Sequence, residues 1–174
     1  MVMRSQTSLS PGDIPFALRL AAHTGEQYES LASALSSSTS SAHRAVGRLE
    51  EAGLLIPGQR RANREALKEF LVHGARYAFP AVRGPETRGV PTAWSAPGLE
   101  GALPQGPPVV WPSEHGRVRG EAVIPLSASV PDAARRDPWL YDMLALFDAI
   151  RLGQSRDRRI AAQLLERRLS ASTL

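Results

Sequence analysis

LSSSTSSAHRAVGRLEEAGLL, residues 35–55, opens on a leucine and six consecutive hydroxyl residues and runs straight into a basic, leucine-spaced segment. Hydroxyl side chains bond their own backbone, which makes them poor in helix interiors and favoured at turns and N-caps. Ser36 to Ser38 therefore predict a tight turn ending in a cap at Ser38. From that cap Ala42, Val46 and Leu49 recur at spacings of four and three, the apolar stripe of an amphipathic helix that Gly53 ends. Thr39, Ser40, His43, Arg44, Gly47 and Arg48 fall on the opposite face.

The residues before this stretch predict two more helices. Asp13 precedes IPFALRLAAH, where Pro15 suits a first helical turn and Phe16, Leu18 and Leu20 can face a core. Thr24 stands three residues before Gln27, the spacing of a capping box, and Tyr28, Leu31, Ala34 and Leu35 follow at helical intervals. A helix, a turn of about three to four residues and a second helix with arginines and small hydroxyls on its free face form a helix-turn-helix arrangement.

On those residues the segment resembles the recognition helix of winged helix-turn-helix transcriptional regulators of the MarR type. Arg48, Leu49, Glu50, Gly53 and Leu54 match the family's R-L-E-x-x-G-L ending, and Ser38 matches its cap. The resemblance covers residues 14–56, about a quarter of the chain. Two features depart from the pattern. Ser37 takes a usually apolar turn position, and LLIPGQRRANREALKEFL leaves no room for a long wing before Asn63 caps the next helix. That helix carries Leu67, Phe70 and Leu71 on one face, with Gly74 as its expected stop.

The resemblance implies a DNA-binding regulator, most simply a repressor. Residues 38–64 hold Arg44, Arg48, Arg60, Arg61 and Arg64 against Glu50 and Glu51 alone. Duplex binding rests on neutralising phosphates, and base-edge contacts from the first turns of a recognition helix add preference. In this reading Ser40, His43 and Arg44 approach bases, Thr39 and Arg48 meet phosphate or base, and Ser38, the cap of the helix, is counted with them among the DNA-binding residues. Arg60 and Arg61 grip the flanking backbone or the minor groove, with Arg64 beside them. The plain alternative is a solvated charged face on a helix bundle.

Composition fits an ordinary globular chain: 174 residues, 43% hydrophobic, 22% charged, formal net charge +4. Of the 21 basic residues only Lys68 is a lysine, so the cations are almost all planar guanidiniums suited to phosphate or carboxylate. Absence of cysteine excludes disulfides, thiolate metal sites and cysteine nucleophiles. Residues 1–13 lack the apolar run of a secretory leader, and no window reaches the roughly 18 apolar residues of a membrane span, so a cytoplasmic protein with no membrane partner is expected. His23, His43, His73 and His115 are scattered, no phosphate-cradling glycine loop precedes a helix, and G-x-S-x-G is missing. No enzyme activity, metal or cofactor is expected.

Residues 79–131 hold ten of the 14 prolines and seven of the 14 glycines, which precludes long helices. PVVW and RVRGEAVI predict a hairpin around PSEHG, with Val118 inward and Arg117 and Arg119 outward, while RGPETRGVP reads as a turning loop that could hold an anion. Trp94, Trp111 and Trp139 either order this region by packing or wall a small-molecule pocket. Beyond it, Asp137 and Pro138 start a helix striped with Leu140, Met143, Leu144, Phe147 and Ile150, closed by Gly153. A last helix bears Ile160, Leu164, Leu165 and Leu169, with Arg156, Arg158, Arg159, Arg167 and Arg168 on its surface.

The expected fold class is mainly α with a small β component (α+β). Three parts are expected: a winged helix-turn-helix at residues 10–75, a Pro/Gly-rich β and loop segment at 76–135, and a C-terminal helical pair at 136–170. The expected function is sequence-specific transcriptional regulation on double-stranded DNA by a homodimer, with the helix from Asp137 to Leu152 as the dimer face. The competing reading is an antitoxin or defence-system component that binds a protein partner through residues 76–170 and autoregulates through its helix-turn-helix.

Overall fold

The computed structural model describes residues 5–171, so residues 1–13, read as lacking a leader's apolar run, lie partly outside the described residues. The chain is α+β. Helix α1 (Asp13–Ala22) is followed by α2 (Tyr28–Ala34) and α3 (Thr39–Glu51), as the apolar spacing requires. The capping box does not form at α2. Gln27 occupies the cap position with extended backbone and no side-chain cap bond, because the preceding turn is held by other means: Gly25 N–H donates to the Arg60 carbonyl at 2.9 Å. Glu26 is instead drawn to Arg19, which donates to its carboxylate through Nε and Nη2, both at 2.8 Å, and to Asp137 through Nη1, also at 2.8 Å.

Strands β1 (Leu55–Ile56) and β2 (Arg61–Ala62) form a two-residue antiparallel hairpin in the register Leu55 with Ala62. Helix α4 (Arg64–Glu69) is capped by Asn63, whose side chain accepts Ala66 N–H at 3.3 Å. Gly74 does not stop it. The chain widens into a π-helical turn over Phe70–Gly74 and continues as α5 (Ala75–Ala78). Gly74 keeps right-handed helical angles there, and a Cβ on it would come within 3.1 Å of the Phe70 ring, so glycine permits the wide turn instead of ending the helix.

The middle corrects two expectations. RGPETRGVP is not a loop: Arg83–Pro91 is strand β3, the long strand of a small closed barrel with β4 (Val109–Pro112) and β5 (Val118–Val123). Its prolines argue against a strand by the usual rule, since proline cannot donate to a ladder. Pro85 escapes that rule by sitting in a bulge between Gly84 and Glu86, where no ladder donor is needed. PVVW and RVRGEAVI, likewise, are not partners in a hairpin. Both pair antiparallel to β3, with Gly89 opposite Pro112 on one side and Val118 on the other, and they close the barrel by running parallel to each other. Gly89 and Gly120 allow the closure: a Cβ would meet the Trp111 carbonyl oxygen at 2.0 Å in the first case and that of Pro108 at 2.5 Å in the second. Arg117 and Arg119 are exposed as expected, and Val118 is half-buried.

Helix α6 (Val130–Arg136) emerges where irregular chain was expected, with Pro131 in its first turn, and leads into α7 (Pro138–Leu152) and α8 (Ser155–Ala171). Asp137 caps α7 by accepting Leu140 N–H at 3.0 Å. Ala145, Leu146 and Ala149 add to the expected stripe, so α7 is apolar almost all round, and a helix of that kind belongs in a core. It lies at the centre, with α1, α6, α8 and the 3-10 turns after β3 packed on it. The expectation that α7 forms the dimer face is therefore wrong: its apolar surface is consumed within one chain. One contiguous core runs from Ile14 in α1 to Leu169 in α8 and includes Trp111 of the barrel, while Trp94 and Trp139 pack against it half-buried. Trp94 also donates to the Pro107 carbonyl at 2.9 Å. Tyr141 donates to the Pro91 carbonyl at 2.6 Å, and burial, with Asp142 nearby, pushes its phenol up to about 12, so it stays a donor. Among the described residues no helix is long and apolar enough to cross a membrane, and no cluster of three or more metal-ligating side chains occurs.

The Arg19 and Glu26 pair ties α1 to the α2 turn and predicts an acid response. Burial alone would raise the Glu26 carboxyl, but hydrogen bonds from Arg19 and Ser30, with the Arg19 charge, hold it below the ordinary carboxylate value of 4.5. The unfolded chain then binds the proton first as pH falls, so the pair's stabilisation is complete above about pH 4.5 and disappears as pH drops through the lower folded value. Glu26→Gln should flatten this part of the acid-unfolding curve and leave stability above pH 6 changed by a constant; an identical acid limb in both proteins would discount the pair.

Candidate nucleic-acid interface

The surface to test is the free face of α3, and its foundation is local. Ser38 Oγ accepts Ser41 N–H at 3.1 Å and donates to Ser41 Oγ at 2.8 Å, which satisfies the first-turn donor that a cap must satisfy. Ala42, Ala45, Val46 and Leu49 are buried, and beyond the helix Gly53 takes a φ of +78° to turn the chain toward β1. That leaves Ser40, His43 and Arg44 exposed and Thr39 half-buried.

The other predicted contacts divide sharply. Arg48 donates to Asp13 through Nε at 2.8 Å and Nη2 at 2.7 Å, and the Asp13 carboxylate, only 1% exposed, also accepts Ser10 N–H at 2.8 Å. The hydrogen bond to Asp13 raises the guanidinium further above its ordinary value against the opposing cost of burial. Arg48 is thus the tie between α3 and α1, and its assignment to phosphate or base is corrected. Arg60 adopts a φ of +43°, donates to the carbonyls of Glu26 at 2.9 Å and Gly25 at 3.3 Å, and lies 5.1 Å from the Tyr28 ring centroid. Arg64 donates to the Ala21 carbonyl at 2.7 Å and to that of Leu169, joining α1 to the end of α8. Both are internal fasteners, so the expectation that they grip flanking DNA backbone or the minor groove is corrected too. Arg61 stays exposed on β2.

The structure adds residues that the pattern did not single out. Tyr28 stacks on His43, with ring centroids 3.6 Å apart and planes inclined by 19°, while Arg60 covers the same ring. A tyrosine at a helical interval reads as core; its half-buried position makes it a platform that fixes the His43 ring at the rim of the free face. On the same side of α3, Glu50 accepts Gly58 N–H at 2.9 Å and holds the hairpin turn. The free face therefore carries Arg44, whose one hydrogen bond among the described residues is to Ser41 Oγ at 3.2 Å, together with Ser40, Thr39 and an oriented imidazole.

The chain matches no protein-family model, and comparisons with curated proteins and with solved structures return no match.

These bonds reverse one expectation about arginine. Arg60→Ala removes two carbonyl contacts and a ring contact, so its expected effect is a stability loss of about 1–2 kcal/mol by denaturant unfolding, without a change in any salt dependence of binding. Arg61→Ala should do the opposite: unaltered unfolding, and a salt slope shallower by about 0.9. Reversed results for the two variants would reverse the assignment.

Proposed function

We propose that this protein is a sequence-specific, double-stranded-DNA-binding transcriptional regulator, a repressor, built on a winged helix-turn-helix of MarR-like character with a two-residue wing. The observation that carries the reading is the free face of α3. Its cap is formed, its apolar stripe is buried, and Ser40, His43 and Arg44 are exposed, with His43 stacked on Tyr28 and Arg44 bonded to Ser41. Those are the residue types that read base edges: arginine bidentate to guanine, serine to any base.

The winged-domain reading draws support from the order α1, α2, α3, β1, β2, with the hairpin directly after α3. A homodimer is the proposed DNA-bound form, because one recognition helix covers too few base pairs for strong preference and paired half-sites multiply it. The proposed interface lies outside α7, whose apolar residues are mostly buried within the chain.

Selection of bound duplexes from a random pool, run beside gel-filtration mass, tests both parts. The expected result is a palindromic consensus and a mass of two chains. A non-palindromic consensus would remove the dimer, and absence of enrichment would remove the regulator reading and return the chain to the protein-partner alternative.

A further inference from the structure

The hairpin β1–β2 reaches only two residues from its base, and Arg60 beside it is committed internally. The other flank of α3 is built differently. His43 and Glu50 face the hairpin side, whereas Ser41 and Arg48, also seven residues apart, lie on the opposite side of the helix. There Ser37, Ser41 and Arg48 line a slot of about 180 Å³ together with Ser10, Ser127, Ser129 and Asp13, the carboxylate that holds Arg48. The hydroxyls of Ser127 and Ser129 bond each other at 3.1 Å.

Helix α6 starts at the next residue, and Ser36, His115, Asp132, Arg135 and Arg136 line a second cleft of about 520 Å³. Arg136 locks α6 to the turn that launches α3: it donates to the carbonyls of Ser33 and Ala34, both at 3.4 Å, and to Ser36 Oγ. Arg135, its neighbour in sequence, is exposed and makes no hydrogen bond or salt bridge among the described residues. The turn between β4 and β5 brings exposed Arg117 to the same region, and Arg88 donates to the Glu114 carbonyl at 3.3 Å. The cleft itself is lined by two arginines, Arg135 and Arg136, against one acid, Asp132.

We propose that α6 and the turns on either side of it form a phosphate-binding strip for double-stranded DNA, on the flank of α3 away from the hairpin, with exposed Arg135 as its central cation. The proposal rests on the DNA-binding reading above. Guanidinium groups and serine hydroxyls are the usual donors to backbone phosphates, and such contacts set register without reading sequence. Because Arg136 fastens α6 to the α2–α3 turn, the strip and Arg44 move as one body, so phosphate contacts at α6 fix where Arg44 meets the groove. The strip supplies the backbone grip that a two-residue hairpin cannot.

The test is fluorescence anisotropy on a selected duplex and on scrambled duplexes, across a salt series, with wild type, Arg44→Ala, Arg135→Ala and Arg135→Lys. Arg135→Ala is expected to weaken binding several-fold on every duplex and to lower the salt slope by about 0.9, with base preference intact and Arg135→Lys restoring the slope. Thermal unfolding checks that the variants are folded, which the exposure of Arg135 favours. Wild-type affinity and slope in Arg135→Ala, beside impaired Arg44→Ala, overturns the strip and leaves the regulator reading in place. Failure of the wild type to bind any duplex overturns both.

Discussion

Asp148→Ala is expected to lower stability by about 3–5 kcal/mol, the range for breaking a buried ion pair from one side. The carboxylate is 1% exposed and anchors three parts of the chain. Its Oδ2 accepts Thr92 Oγ1 and Trp111 Nε1, both at 2.7 Å, and its Oδ1 accepts Arg151 Nη2 at 2.6 Å. Arg151 then donates to the Phe79 carbonyl at 3.0 Å and lies 5.1 Å from the Phe147 ring centroid, with its Nε buried and unpartnered. Alanine would strand two donors and a cation in the core, joining the cost of unpaired groups to a lost link between barrel and α7. At about 2–4 °C per kcal/mol for a chain of this size, the melting temperature should fall on the order of 10 °C. The double replacement Asp148→Leu with Arg151→Met should recover the part of the loss that comes from the unpaired cation and leave the part that comes from the stranded Thr92 and Trp111 donors. A melting temperature unchanged in Asp148→Ala would mean that water, not Asp148, satisfies these donors.

Arg44 carries the largest functional expectation. Arg44→Ala should weaken binding to the selected duplex by roughly fivefold to 150-fold, the 1–3 kcal/mol of a bidentate base contact, and broaden the consensus at one position per half-site. Its effect on scrambled duplexes should be small. Arg44→Glu should abolish measurable binding by placing a carboxylate against the phosphates. The side chain makes no contact that the fold needs beyond Ser41, so unfolding curves should coincide with the wild type. Equal losses on selected and scrambled duplexes would make Arg44 a phosphate contact. No loss at all would remove α3 as the helix that meets DNA.

Much of the architecture was legible from local pattern. The hydroxyl run before Ala42 placed a turn and a cap, and Ser38 is the cap. Asp137 before Pro138 placed the start of α7, and the short reach from Leu55 to Asn63 placed a stunted hairpin. Each of these signals rests on atoms within a few residues of one another. The middle was not legible. A proline inside RGPETRGVP reads as a strand breaker, and only the bulge at Pro85 makes it harmless. PVVW and RVRGEAVI look like neighbours in a hairpin because they are adjacent in sequence, yet the strand that both need lies upstream.

The candidate site shows the same division. Charge and helical phase marked Arg44, Arg48, Arg60 and Arg64 alike, since all four are arginines near a recognition-type helix. What separates them is the partner, and every deciding partner is distant in sequence: Asp13 for Arg48, Gly25 and Glu26 for Arg60, Ala21 and Leu169 for Arg64. Arg135 and Arg136 went unremarked for the converse reason, because their position beside α3 exists only once α6 has packed on the α2–α3 turn.

By itself the sequence determined where the backbone turns, which helical faces are apolar, and that the cations would be guanidiniums, since caps, periodicity and residue chemistry act over one or two turns. Tertiary structure alone decided which arginines are free, that α7 is a core helix and not an interface, and that a barrel closes around Gly89. Those outcomes depend on carboxylates, carbonyls and backbone brought together from far along the chain, whose proximity no local propensity encodes.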